Sequence, residues 1–198
     1  MTNTNYTTSL RYLERRENVA SKFQKNLQSV RDFARILGLI NVCYLYFAEE
    51  KLVDLLSKAE EIVNKSTMHT VGESGHTADW VMSLTDELGY PASSMITASR
   101  ADGFKWIAFC TLLSANKPKR AEKDPRSCVY LLDKESFTGI SLTGKVEIIV
   151  NLEIKKQMWY DALGEYSKDF DDENWCVLMF RPERYNIFID YRTIHGVF

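Results

Sequence analysis

The chain has 198 residues, 45% of them apolar or aromatic, enough for one well-buried domain and short for two of ordinary size. Lys and Arg total 25 against 27 Asp and Glu, and a net charge of −2 excludes the basic surface of a protein that coats nucleic acid. The longest apolar run, Leu39 to Ala48, is broken by Asn41 and falls short of the ~20 residues of a membrane span. The N-terminus lacks the basic, apolar and small-residue succession of a signal peptide, so a cytoplasmic protein without membrane contact is expected.

In chain order, Leu13, Ala20, Phe23, Leu27, Val30, Ala34 and Leu37 recur at helical spacings, and Gly38 marks a stop or kink. Leu52, Val53, Leu56, Ala59 and Val63 repeat the pattern, which predicts helix over 9–65 with one break. The stripe packs on its own domain or on a second copy of the chain. Two regions are expected: a helical N-terminal extension over 1–65, and a β domain over 66–198. In the loop at 66–79, His69 and His76 lie near Glu73 and Asp79, a composition suited to a metal. Their spacing fits no helical pair, and Gly72, Ser74 and Gly75 mark a plain loop, so no metal site is assigned.

Short β-type runs follow. Trp80–Thr85 and Ala92–Ser99 are separated by Asp86-Glu87-Leu88-Gly89, and Arg100-Ala101-Asp102-Gly103 leads to Lys105–Leu113, giving two hairpin connections. After a basic segment, Ser127–Leu132 turns at Asp133–Ser136 into a long strand, Phe137–Val150, with Gly139 and Gly144 as candidate bulges. A helix is predicted over Leu152–Glu165, with Ile154, Met158 and Ala162 on one face. Trp175–Phe180 and Tyr185–Tyr191 then flank Arg181-Pro182-Glu183 as two closing strands. Six strands with tight turns and few helices between them predict a mainly β antiparallel barrel or sandwich.

Chemistry concentrates in Thr111-Leu-Leu-Ser-Ala-Asn-Lys-Pro-Lys-Arg120, which leaves a buried strand and opens a short helix. Asn116 suits an N-cap and Pro118 a first turn, so free backbone N–H groups fall between Ser114 and Lys119, an arrangement that attracts phosphate. Lys117, with Lys119 or Arg120, adds charged hydrogen bonds; Thr111 and Ser114 add neutral ones. Arg100 is a second candidate phosphate cation. The plain alternative is a solvated basic helix start with no ligand.

Cys43, Cys110, Cys128 and Cys176 are scattered without a C-x-x-C pair, and the last three lie in apolar stretches and read as buried thiols. No G-x-S-x-G, H-E-x-x-H, dinucleotide-binding or P-loop fingerprint occurs. Trp159, Tyr160, Trp175, Tyr185 and Phe188 read as core or interface aromatics, or as the border of a planar cofactor.

As an ordered set, GYPASSMITASRADGFKWIAFCTLLSANKPKRAEKDPRSCVYL, LTGKVEI at 142–148, the helix with Lys156 and Trp159, and the closing Pro182-Glu183-Arg184-Tyr185 resemble the pyridoxamine 5′-phosphate oxidase-like, FMN-binding split-barrel family, in its general stress protein 26-related branch. The match covers roughly residues 80–191. The resemblance implies a six-stranded antiparallel split β-barrel with flanking helices, acting as a homodimer with FMN in clefts between protomers. It implies a flavin-dependent oxidoreductase acting on a small-molecule substrate or, as the alternative, a non-catalytic flavin-binding stress-response protein. It also implies that Ser94–Ser99 run beneath the isoalloxazine ring, with backbone groups of Met95, Ile96 and Thr97 reading its polar edge and Ser99 beside them. Arg100, Thr111, Ser114, Asn116 and Lys117 then fall to the phosphate. Ala115 stands where the family usually has the loop serine, and Pro118 replaces an apolar residue. The ending IDYRTIHGVF lacks the element by which true pyridoxamine phosphate oxidases hold substrate, so that reaction is not implied.

Overall fold

The computed structural model describes residues 35–39, 49–71 and 78–198. The stripe from Leu13 to Val30, Cys43, and His76 with Glu73 lie outside them. Gly38 is itself helical, within 35–39. The chain divides into two units, Met1–Lys51 and Leu52–Phe198. The described residues of the first are helical.

Most of helix α1 (residues 49–65) belongs to the second unit, where it turns Leu55, Ala59 and Val63 into the core at a spacing of four, so the buried stripe begins at Leu55 rather than at Leu52 and Val53. A short α2 (Met68–Val71) follows. The Trp80 indole donates to the Ser66 carbonyl at 2.9 Å and fastens the end of α1 to the first strand.

Seven strands succeed one another: β1 (Asp79–Thr85), β2 (Pro91–Asp102), β3 (Trp106–Leu112), β4 (Arg126–Asp133), β5 (Thr138–Ile149), β6 (Trp175–Ile189) and β7 (Arg192–Val197). Their order is β3-β2-β1-β4-β5-β6-β7, and β3 also pairs with β6, so six strands close into an antiparallel barrel and β7 extends it. Alternation drives the closure. Trp80, Met82 and Leu84, then Val129 and Leu131, then Ile140, Leu142 and Val146 point inward and are buried, while their neighbours point out. The interior is filled by large side chains, with Trp80 and Phe109 edge to face at 5.9 Å.

Three expectations need correction. The two closing strands are one, β6, running through Arg181-Pro182-Glu183. Pro182 is tolerated because the β5–β6 register shifts between Thr143 and Gly144, where no ladder donor is required. The extra residue is Glu183 on β6, so Gly144 faces a bulge rather than forming one. Gly139 forms none: it pairs regularly with Leu132 and Phe188, and a Cβ there would lie 2.9 Å from the Tyr130 hydroxyl. The helix expected over 152–165 is broken in two. Asn151 caps α4 (Leu152–Met158) through bonds to its Oδ1 from Glu153 and Ile154 N–H; Trp159 and Tyr160 are extended, and a 3-10 turn occupies Asp161–Glu165. Ala162 consequently faces solvent. One further helix, α3 (Asn116–Lys123), joins β3 to β4 and packs Pro118 and Ala121 inward.

Candidate ligand site in a gap of the barrel wall

The β2–β3 ladder runs from Asp102↔Trp106 to Ala98↔Phe109 and stops there, with a bulge at Ser99. Beyond that point β2 continues back to Pro91 bonded only to β1, and β3 continues to Leu112 bonded only to β6. The wall splits between them. Along an antiparallel ladder each residue directs both backbone groups to one neighbour, alternately left and right. Ala98 N–H donates to the Ala78 carbonyl at 3.1 Å, so Ala98, Ile96 and Ser94 face β1. Thr97, Met95 and Ser93 therefore turn their backbone groups toward the gap. Of the expected backbone readers, Met95 and Thr97 border the gap; Ile96 is committed to β1, and its side chain is buried in the barrel.

Thr111 lies on the opposite lip, in the last turn of β3 before α3. Ala115, not Asn116, is the N-cap, and it contributes no side-chain bond; Asn116 is the first helical residue and Pro118 the third, inside the first turn as expected. First-turn amides have no acceptor within their helix, so the Asn116 and Lys117 N–H groups point outward and Pro118 has none to satisfy. Lys117 is half-buried. Burial, and secondly the neighbouring Arg120 guanidinium, hold its ammonium below the usual lysine range. Arg120 faces Glu87 at 3.8 Å, yet its Nε is buried and makes no hydrogen bond. Two cations in one sparsely compensated environment favour an anion.

Ser114 is placed differently from the expectation. Its N–H donates to Asn174 Oδ1 at 3.0 Å, and its hydroxyl accepts from Asn174 Nδ2 at 3.1 Å. Asn174 also accepts from Leu113 N–H through its backbone carbonyl at 2.6 Å. The sequence carried no signal for Asn174, because it sits sixty positions away in a loop with no periodicity.

The outer face of β2 and β3 above the gap is covered by the chain after α4. Ser99 Oγ donates to the Met158 carbonyl at 2.5 Å, and the Cys110 thiol to the same oxygen at 3.5 Å. The Tyr160 hydroxyl is hydrogen-bonded to Thr97, and burial pushes that phenol up. Side chains of Ser99 and Thr97 are thereby engaged. Arg100, opposite Ala108 on this outer face, is three strand residues from the level of Thr111, about 10 Å. His69 on α2 lies beside it and hydrogen-bonds the Met158 and Trp159 carbonyls; burial, then Arg100, lower its pKa. The register thus puts Met95 and Thr97 on one lip of the gap and Thr111 on the other, with Asn116 and Lys117 following Thr111 at the start of α3, and sets Arg100 apart with His69.

Cys110 and Cys176 are buried thiols, Cys176 pushed up to about 11 by burial, and Cys128 is half-buried. Trp175 and Tyr185 are core residues, whereas Trp159 and Tyr160 are partly exposed beside the gap. Among the described residues no cluster of three or more His, Cys, Asp or Glu could hold a metal, and no helix is long and apolar enough to cross a membrane.

No protein-family model and no curated protein matches the chain. Solved structures do. A Clostridium acetobutylicum protein related to general stress protein 26 of B. subtilis, of the pyridoxinephosphate oxidase family, is 25% identical, with 70% of this chain and 95% of that one covered and a TM-score of 0.56. General stress protein 26 from Bacillus anthracis is 20% identical over 62% of this chain and 92% of that one, with a TM-score of 0.52. A heme binding protein from Mycobacterium smegmatis shares the fold at 16% identity and a TM-score of 0.51, with 68% and 57% covered.

Proposed function

We propose that this chain, whose split-barrel fold is shared with proteins related to general stress protein 26 of the pyridoxinephosphate oxidase family, is an FMN-binding flavoprotein of that family's general stress protein 26-related branch. The reading is supported by two features of the same wall: a strand edge at Met95 and Thr97 that no ladder uses, and the open first turn of α3 just after β3, the strand across the gap. A flavin needs both features: hydrogen-bonding groups for its polar ring edge and a cationic, amide-lined end for its phosphate. The Asn116 and Lys117 amides with Lys117 Nζ would hold the phosphate, Thr111 would lie beside it, and the Met95 and Thr97 backbone would hold the ring edge. When bound, FMN would supply two-electron transfer between a reduced donor and a small substrate. The protein's own part is to bind, orient and exclude water; Met158 and Tyr160 wall off the outer side.

The working form is a homodimer. Outside the barrel, Met95, Val81 and Tyr130 form one row across β2, β1 and β4, with Leu132, Phe137 and Phe188 next to it. Met95 and Phe137 are more than half exposed. An apolar face of this breadth beside the gap suits a second copy that closes the site.

A second reading, storage or sensing of flavin without turnover, is favoured by one feature. The half-buried Tyr160 and the buried Cys110 beside the gap are both pushed away from neutral pH, so neither serves as acid or base. The visible absorption spectrum after incubation with FMN and removal of excess tests binding. Oxidation of a reduced nicotinamide by the loaded protein then separates the two readings.

A further inference from the structure

The loop that leads into α3 has no cap of its own. Ala115 offers no side-chain acceptor, and Ser114, the one hydroxyl in the turn, is turned away from the helix toward Asn174. We propose that Asn174 is the positioning residue of the phosphate end of this site: by clamping Ser114 from both sides, it sets the direction in which the first amides of α3 point. This rests on the reading of the site given above.

A carboxamide holds Ser114 with two separate atoms, its oxygen accepting from the N–H and its nitrogen donating to the hydroxyl, whereas an alkyl group does neither. The clamp is also anchored. Asn174 N–H donates to Asp172 Oδ1 at 2.8 Å, and Asp172 Oδ2 accepts from Ser167 Oγ at 2.7 Å. The buried Lys155, 4% exposed, donates to the Asp172 carbonyl at 2.7 Å. These bonds tie the turn before α3 to α4 and to the segment that covers the outer face. With the Ser114 N–H committed to Asn174, the first-turn donors of α3 open to an anion are the Asn116 and Lys117 amides and Lys117 Nζ. Asn174 therefore decides which groups meet the ligand without touching it.

The test is a double-mutant cycle of FMN binding by the full chain with Asn174→Ala, Lys117→Ala and both, together with amide exchange over 113–117. Expected are an about tenfold loss for Asn174→Ala in the otherwise unchanged protein, a far smaller loss when Lys117 is already Ala, and faster exchange at Ser114. Full additivity, no loss, or unchanged exchange at Ser114 would overturn the proposal. Should Asn174→Ala unfold, Ser114→Ala removes one of the two clamp bonds and should show the same coupling to Lys117 at smaller size. A chain that binds no FMN at all, yet exchanges Ser114 faster when Asn174 is Ala, would sink the flavin reading and leave the clamp standing.

Discussion

Ala98 and Phe109 are the last residues to face each other before β2 and β3 separate. Both are fully buried, so the split begins at a packed pair in the barrel wall and opens toward α3. The backbone of the next outward-facing residues of β2 is thereby exposed to a ligand while the opposite side of the strand stays bonded to β1.

That asymmetry predicts opposite outcomes for proline at adjacent positions. Met95→Pro removes an N–H that serves no ladder, a placement that edge strands accept. It should leave the melting temperature within a few degrees and weaken FMN binding by about tenfold. Ser94→Pro removes an N–H directed at β1 and should cost ~3 kcal/mol of stability, read by denaturant unfolding. Equal destabilisation by the two would contradict the assigned alternation.

Lys117 is held below the usual lysine range by burial and by Arg120, and a bound phosphate would reverse both effects. The cationic form is favoured by the ligand, so affinity is full while the lysine is protonated and falls as pH rises through its lowered pKa, by about tenfold per unit. Lys117→Arg stays charged and should flatten this alkaline limb. Fluorescence titrations of FMN across alkaline pH check it; identical limbs in both proteins would place the titrating group elsewhere.

Much of this fold was legible because strand alternation is a strong signal: β1 to β5 were foreseen within a few residues, and so was the turn into α3. The losses have physical causes. β7 went unread because its connection, Asp190-Tyr191, carries neither glycine nor proline although both residues adopt positive φ, and because RTIHGV is largely exposed. The helix from 152 was overextended because Trp159 and Tyr160 suit a helix locally; they are drawn into extended backbone by the carbonyl of Met158, which serves Ser99 and Cys110 on the sheet. The basic turn into α3 was legible from residue type alone, yet Ser114's partner was invisible because long-range pairings leave no periodic trace. Arg100 reads from sequence as a second phosphate cation; the register sets it opposite Ala108, with His69 near it.

The two-residue loop between β6 and β7 has φ of +49° at Asp190 and +59° at Tyr191, the pattern of a type I′ turn. Tyr191 bears this conformation while 89% exposed, so no packing offsets it. Tyr191→Gly should stabilise the protein by roughly 0.5–1 kcal/mol, seen as a higher urea midpoint with an unchanged slope. A lower midpoint would mean that the tyrosine ring makes a contact that matters more than its backbone.

At the bulge, a Cβ on Gly144 would lie 2.0 Å from the backbone oxygen of Arg181. Backbone on both sides leaves nothing to yield cheaply, so Gly144→Ala should cost ~3 kcal/mol or more. The comparison Gly164→Ala, which meets open space, should cost far less. Thermal unfolding of the pair distinguishes a required close approach from a tolerant bulge.

The central claim, flavin held between the β2 edge and the first turn of α3, is tested most directly by equilibrium titration of FMN against the full chain and two lysine variants. Saturable binding that Lys117→Ala weakens by about 30-fold, ~2 kcal/mol, while Lys105→Ala in the distant β2–β3 turn leaves it unchanged, is the predicted result. Absence of saturable binding, or equal loss in both variants, would contradict the account.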